Sequence, residues 1–243
     1  MRTLFFSDVH GNLEALRAVF ADASTRGCDA VICLGDTVGY GANPEECVEI
    51  VSRIPGGAAV LGNHDAAVIE PTLHGYLNPA AQAGVRHSER VLSPASVAYL
   101  RSLPLAIDST EGYVAAHASP FKPEEWFYVL EPMEVRDALR AMTRAIAFIG
   151  HTHYPAVHNG RGTMMSMLPG EPFEFRPGEK RIVNVGSVGQ PRDGDPRAAY
   201  VIFDGVAGLA EVFRIEYDVD ATALKILEAG LPAMLADRIR RGY

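Results

Sequence analysis

Five short apolar runs in this chain each end on side chains that bind metal ions. Thr3 to Phe6 leads into Ser7-Asp8-Val9-His10, Val31 to Leu34 into Gly35-Asp36, and Ala58 to Leu61 into Gly62-Asn63-His64-Asp65. Tyr113 to Ala116 leads into His117, and Ile146 to Ile149 into Gly150-His151-Thr152-His153. Short apolar runs bounded by glycine and polar residues read as buried strands. In open α/β folds the ligand crevice lies beyond the carboxyl ends of the strands. Strands ending this way would send carboxylate, amide and imidazole groups into one crevice.

The segments between these runs support an α/β reading. Leu13, Leu16, Val19 and Phe20 recur at helical spacing, with Asn12 placed as N-cap and Gly27 as a stop signal. Cys47, Val48, Ile50 and Val51 give a second helical face, closed by Pro55-Gly56-Gly57. Strand, helix, strand, helix, strand over residues 2–61 implies a parallel sheet with right-handed crossovers. Asp65 to Ser102 reads as helix divided by Pro71, Pro79 and Pro94; this segment could cap the crevice, although ordinary helical packing explains it as well. After Leu103, apolar runs at 105–107, 113–116, 145–149, 155–158, 163–168, 182–185, 199–203 and 208–215 read as strands. The last two suggest a hairpin through Asp204-Gly205, and residues 219–240 read as helix. Nothing resembles a linker or a repeat, and 48% hydrophobic residues over 243 positions suffice for a full core, so one domain spanning 1–243 is expected.

Charge and cysteine usage narrow the function. A net charge of −8 with no Lys/Arg-rich block argues against broad nucleic-acid affinity. Cys28, Cys33 and Cys47 form no CxxC pair and read as reduced thiols. Asp8 interrupts the N-terminal apolar stretch before a signal sequence could form, and no apolar stretch approaches the roughly 20 residues of a membrane span. The expectation is a soluble, cytoplasmic protein.

Asp8 and His10, two residues apart, can reach the same side of a strand end. Asp36 could bridge two cations through its two oxygens, Asn63 offers a neutral carbonyl, and His117, His151 and His153 offer imidazole nitrogens. Mixed nitrogen and oxygen donors favour Mn, Fe, Zn, Co or Ni over Mg and Ca. Each motif taken singly has a plainer explanation: a turn, a helix cap or a satisfied core histidine. All five in order, each after an apolar run, are poorly explained by chance.

These ordered motifs closely resemble those of the calcineurin-like metallophosphoesterase superfamily: Asp8-Val9-His10, Gly35-Asp36, Gly62-Asn63-His64-Asp65, His117 and Gly150-His151-Thr152-His153. The resemblance implies a four-layer αββα sandwich of two mixed β-sheets flanked by helices, with two divalent transition-metal ions, manganese foremost. It implies that Asp8, His10, Asp36 and His153 hold one ion, and that Asp36, Asn63, His117 and His151 hold the other. A water shared by the ions would attack phosphorus, with His64 assisting the leaving oxygen and Asp65 holding His64 in place.

Ser7 to Asn12, Gly35 to Gly41 and the late loop Asn184 to Arg192 resemble a small bacterial branch often labelled phosphodiesterase or diadenosine-tetraphosphatase-related. Protein phosphatases and true dinucleoside tetraphosphatases usually carry Asp-Arg-Gly after Gly-Asp, where this chain has Val38-Gly39-Tyr40-Gly41. The expected activity is therefore hydrolysis of a small phosphodiester or nucleotide. A Ser/Thr phosphatase-like phosphomonoesterase, a non-catalytic scaffold and a nucleotide-binding sensor stand as alternatives.

Arg192 in the late loop could contact substrate phosphate, or simply sit in a solvated turn, and Tyr40 could stack on a base or pack its glycine turn. Glu124, Glu125 and Glu131 read as a solvated face. Trp126-Phe127-Tyr128 among them could form an interface patch that would allow a homodimer.

Overall fold

The computed structural model describes residues 1–243, and its strands fall into two six-stranded sheets. Strands β1 (Arg2–Phe6), β2 (Ala30–Cys33) and β3 (Ala58–Ala59) run parallel, joined by α1 (Leu13–Ala23) and α2 (Pro44–Ser52). Asn12 caps α1 as expected, its side chain accepting from Ala15 N. The hairpin of β11 (Ala198–Asp204) and β12 (Leu209–Ile215) joins this sheet antiparallel to β1. A two-residue strand β9 (Phe173–Glu174), which the sequence did not reveal, closes its edge.

The second sheet holds β4 (Ala106–Asp108), β5 (Tyr113–Ala116), β6 (Ile146–Ile149), β10 (Arg181–Val185), β7 (Pro155–His158) and β8 (Met164–Ser166), in that order. Parallel β5–β6–β10 pairs and antiparallel β4 and β7 make it mixed.

Side-chain alternation assembles the layers, because successive strand residues face opposite sides. On β1, Leu4 and Phe6 pack with Leu16 and Val19 of α1, while Phe5 turns the other way. Phe5 there stacks on Phe148 of β6, ring centroids 3.8 Å apart, within a core shared by the two sheets. On β6 the neighbours of Phe148, Ala147 and Ile149, turn to Val135, Ala138 and Leu139 of helix α6 (Pro132–Ala141). Helix, sheet, sheet, helix is the αββα order. α6 was not legible in the sequence, yet it supplies the outermost layer.

The stretch from Asn63 to Ser102 is helical in four pieces: α3 (Asn63–Ile69), a 3-10 turn (Pro71–Tyr76), α4 (Pro79–Val91) and α5 (Pro94–Ser102). Pro71, Pro79 and Pro94 open the last three, where a missing N–H costs nothing. These helices are packed in depth. Val48 of α2, Ala67 and Val68 of α3, Val85 of α4 and Leu100 of α5 share one buried cluster. Gly84 of α4 lies so close to the Gly39–Tyr40 backbone that an added Cβ would come within 2.5 Å of Tyr40 N. The C-terminal helix expected over 219–240 is two helices, α7 (Val219–Glu228) and α8 (Ala233–Arg241), broken at Gly230-Leu231-Pro232. No helix is long and apolar enough to cross a membrane.

Candidate metal centre

The loops after β1, β2, β3, β5 and β6 converge, as the strand ends implied. Asp8, His10, Asp36, His117, His151 and His153 are all buried, and their donor atoms form overlapping clusters, the middle one joining His10 and Asp36 with His64. Seven non-glycine residues in the protein adopt a positive φ, and five of them are Asp8, His10, Asp36, His151 and His153. Such backbone strain persists only where the surroundings hold it, and it concentrates at functional sites. The chain thus bends sharply at each strand end to turn these side chains inward.

Backbone carbonyls fix the rings. His10 Nδ1 donates to Val38 O at 3.1 Å, His117 Nδ1 to Leu34 O at 2.8 Å and His153 Nδ1 to Gln190 O at 2.5 Å. Each ring then presents a bare Nε2 to the cluster, the orientation that outer hydrogen bonds enforce in metal sites. The carboxylates are pinned similarly. Asp8 Oδ2 accepts from His151 N at 2.9 Å and Asp36 Oδ1 from His64 N at 2.8 Å. That leaves Asp8 Oδ1, which has no hydrogen-bond partner, and Asp36 Oδ2 facing inward.

Two donor sets result. Asp8 Oδ1 lies 3.2 Å from His153 Nε2 and 3.7 Å from His10 Nε2, which is 3.7 Å from Asp36 Oδ2. On the other side His117 Nε2 lies 3.4 Å from Asp36 Oδ2, 3.0 Å from Asn63 Oδ1 and 3.2 Å from His151 Nδ1. Asp36 Oδ2 belongs to both.

These contacts bring lone pair against lone pair. His10 Nε2 and His153 Nε2 face each other at 3.3 Å with their protons on the far nitrogens. Only a proton or a cation between such atoms makes the contact favourable. Donors held about 2.1 Å from one ion lie roughly 3.0–3.5 Å apart at octahedral to tetrahedral angles, close to the spacing found. The residues therefore fit divalent metal ions.

The titration behaviour agrees. Burial works against charge on His117, but the Asp36 and Asp8 carboxylates and the Leu34 carbonyl together outweigh it and raise its pKa to about 9, so its Nε2 is bare only when a cation takes the place of that proton. Burial likewise opposes ionisation of Asp8 and Asp36, yet the imidazoles of His153 and His117 beside them hold both carboxyls below their usual range. Burial lowers His151 to about 3 and His64 to about 4.

His64 lines the same cleft, its ring 4.8 Å from His10 and 4.7 Å from Tyr40. Gly39 runs flush against it; a Cβ there would sit 2.5 Å from His64 Nδ1 at a φ of +113°. Asp65 does not do what adjacency suggested. Its carboxylate caps α3, accepting from Val38 N at 3.0 Å and Gly62 N at 3.2 Å, while His64 Nδ1 has no partner. Helical geometry explains the correction, because consecutive residues on a helix do not face each other. Burial and the nearby Asp36 push the Asp65 carboxyl up to about 7. His64 is instead held by the packing of His10 and Tyr40.

Arg192 joins the cleft, its guanidinium 5.8 Å from the Tyr40 ring and donating to Gln190 Oε1 at 3.1 Å. Tyr40 is 5% exposed and packs edge-on against His10, so it is a wall of the cleft more than a stacking platform. The sequence reading missed the far wall. Tyr128 stacks on His151 at 4.1 Å, and Trp126 abuts His117 at 6.0 Å. Two of the three rings expected to make an interface patch therefore face the site. Glu124 and Glu125 are exposed, as a solvated face requires, and they also border the cleft. His74, His87 and His158 lie outside the cluster; the first two bond the Ala67 and Ala42 carbonyls.

The chain as a whole resembles known proteins. A family model for the calcineurin-like phosphoesterase superfamily domain matches residues 1–207. An uncharacterised protein of Methanocaldococcus jannaschii is 37% identical over 239 residues, covering 97% of this chain and 96% of its own. The crystal structure of a metallophosphoesterase from Sphaerobacter thermophilus is 36% identical and superposes with a TM-score of 0.89, over 100% of this chain and 99% of that one. A hypothetical protein from Pyrococcus horikoshii shares the fold at 18% identity, with a TM-score of 0.82 over 100% and 98% of the two chains.

Proposed function

The chain belongs to the calcineurin-like phosphoesterase superfamily, a family of phosphoric ester hydrolases, and within it we propose a dinuclear hydrolase of small phosphodiesters or nucleotides. The observation that supports this reading is the pair of donor sets sharing Asp36 Oδ2 at the floor of one cleft. One ion would take Asp8, His10, Asp36 and His153, the other Asp36, Asn63, His117 and His151. Bound there, two divalent cations supply a water of lowered pKa and neutralise charge on the phosphoryl oxygens. Mixed N/O donors favour manganese, iron, zinc, cobalt or nickel, manganese first.

The remaining steps fall to the chain. Arg192, the one cationic side chain lining the cleft, orients a phosphoryl oxygen by charge-assisted hydrogen bonds. Burial keeps His64 neutral until an anionic phosphoryl group lies against it; the proton it then takes up passes to the departing alkoxide. Asp65 holds the first turn of α3, and with it the placement of Asn63 and His64, through the Gly62 and Val38 amides. The Trp126 and Tyr128 rings shield the His117 and His151 side from bulk water.

The test is turnover of an aryl phosphodiester with Mn²⁺, paired with metal analysis of the purified protein. Two ions per chain and metal-dependent turnover are expected. Absence of turnover with every divalent metal would sink the reading.

A further inference from the structure

The cleft above the cluster measures about 440 Å³, in the range for a small molecule. Its lining is unusual for a site that handles phosphate. Beyond the donor residues it holds one cation, Arg192, and two carboxylates, Glu124 and Glu125. Apart from Asn78, the rest of the wall is aromatic and aliphatic, with Tyr76 and Leu77 before α4, then Trp126 and Tyr128.

Glu124 and Glu125 are not placed there by a flexible surface loop. They form a 3-10 turn, Pro123–Glu125, flanked by Lys122 at φ 45° and Trp126 at φ 54°. A tryptophan takes up left-handed backbone only when its surroundings hold it, here the packing of its ring against His117. The same contact thus holds the backbone of the acidic turn at the edge of the cleft, with both carboxylates exposed beside it.

We infer that this cleft admits esters with a single phosphoryl group on an aromatic or apolar residue, and that Glu124 and Glu125 exclude polyphosphates. The inference rests on the phosphoester reading of the same cleft and narrows it. A single phosphoryl group finds the metal cluster and Arg192. Each further phosphate adds charge that must lie towards the acidic turn, where Arg192 is the only Lys or Arg lining the cleft and the Lys122 ammonium beside the turn sits over the Phe121 ring, and like charges repel until salt screens them. The organic group meets aromatic faces that stack on it without regard to charge.

Trp126 is the sole tryptophan, so its fluorescence reports occupancy of the cleft without any turnover. Protein loaded with Zn²⁺, at a fixed excess of the metal, is titrated with AMP, ADP and ATP, which share a base and differ in phosphate count. Affinity should fall at least fivefold from AMP to ATP in the native protein. In E124Q/E125Q the fall should shrink to less than twofold, and about 1 M salt should produce the same flattening in the native protein. Phenyl phosphate should bind at least fivefold tighter than methyl phosphate. Affinity that rises with phosphate count, or a ladder unchanged in the double variant, overturns the inference, as does equal binding of phenyl and methyl phosphate. If the ladder fails while the aryl diester is still hydrolysed, only the charge filter falls. If no phosphate ester binds in the presence of metal, the phosphoester reading falls with it.

Discussion

Gly84 sits inside α4, where replacing glycine by alanine ordinarily stabilises a helix by about 1 kcal/mol. Gly84→Ala should do the opposite. The new Cβ would meet Tyr40 N at 2.5 Å, Tyr40 Cα at 2.8 Å and Gly39 C at 2.9 Å, all backbone atoms that cannot rotate away. Ordinary contact begins near 3.4 Å, so α4 and the Gly39–Tyr40 turn must separate by about 0.9 Å. Overpacking of this kind costs about 1–3 kcal/mol, and against backbone that cannot rotate away the upper part of that range, about 2–3 kcal/mol, applies. Set against the helical gain, the net loss is about 1–2 kcal/mol, or roughly 2–8 °C in melting temperature for a chain of this size. The displacement also reaches the site, because the Tyr40 ring lies 4.7 Å from both His10 and His64. Misplacing catalytic groups by about 1 Å can cost on the order of 100-fold, so kcat/KM should fall at least tenfold while metal content holds. Thermal melts of the two proteins decide the matter, with Gly160→Ala, whose Cβ meets nothing within 4 Å, as control. A Gly84→Ala protein that melts higher than the native one would show that helical propensity, not the close approach, governs this position.

Asp36→Asn removes the oxygen common to both donor sets; metal analysis should find most metal lost and activity abolished. Excess metal at about 100 times its Kd stabilises the native protein by about 2.7 kcal/mol, roughly 5–11 °C, and that shift should vanish in the variant. His64→Gln should keep its metal and lose about 10²–10⁴-fold in kcat; if metal analysis instead shows an ion released, His64 is a ligand. His158 is buried on β7 with no partner on Nδ1, and burial lowers its pKa from 6.5 to about 4. Because the unfolded chain takes up this proton first, the contribution is complete above pH 6.5 and is lost as pH falls towards 4, up to about 3 kcal/mol. Denaturant titrations across that window should show the loss in the native protein and a flatter profile in His158→Leu.

Most strands were legible because each is an apolar run closed by glycine or a polar turn, as at Val31 to Gly35 and Ile146 to Gly150. The proline breaks at 71, 79 and 94 were legible for the same local reason. Helix α6 was not. Its buried residues Val135, Ala138 and Leu139 are few among charged neighbours, and its burial depends on β6 and β10 arriving beneath it. The pairing of His64 with Asp65 was read from adjacency, which says little about where two helical side chains point. The aromatic cluster at 126–128 was visible as a cluster, but whether it faced a partner or the cleft depended on the turn that carries it.

What the sequence determined by itself is the donor inventory and its order along the chain, since strand ends in such a sheet open on one side and motif spacing is local. The tertiary structure alone decided that Asp36 Oδ2 faces both donor sets, which carbonyl orients each ring, and that an acidic turn borders the cleft. Those features are distances between segments up to 143 residues apart, such as His10 and His153. Such distances are fixed by the packing of whole layers, and no local pattern of residues encodes them.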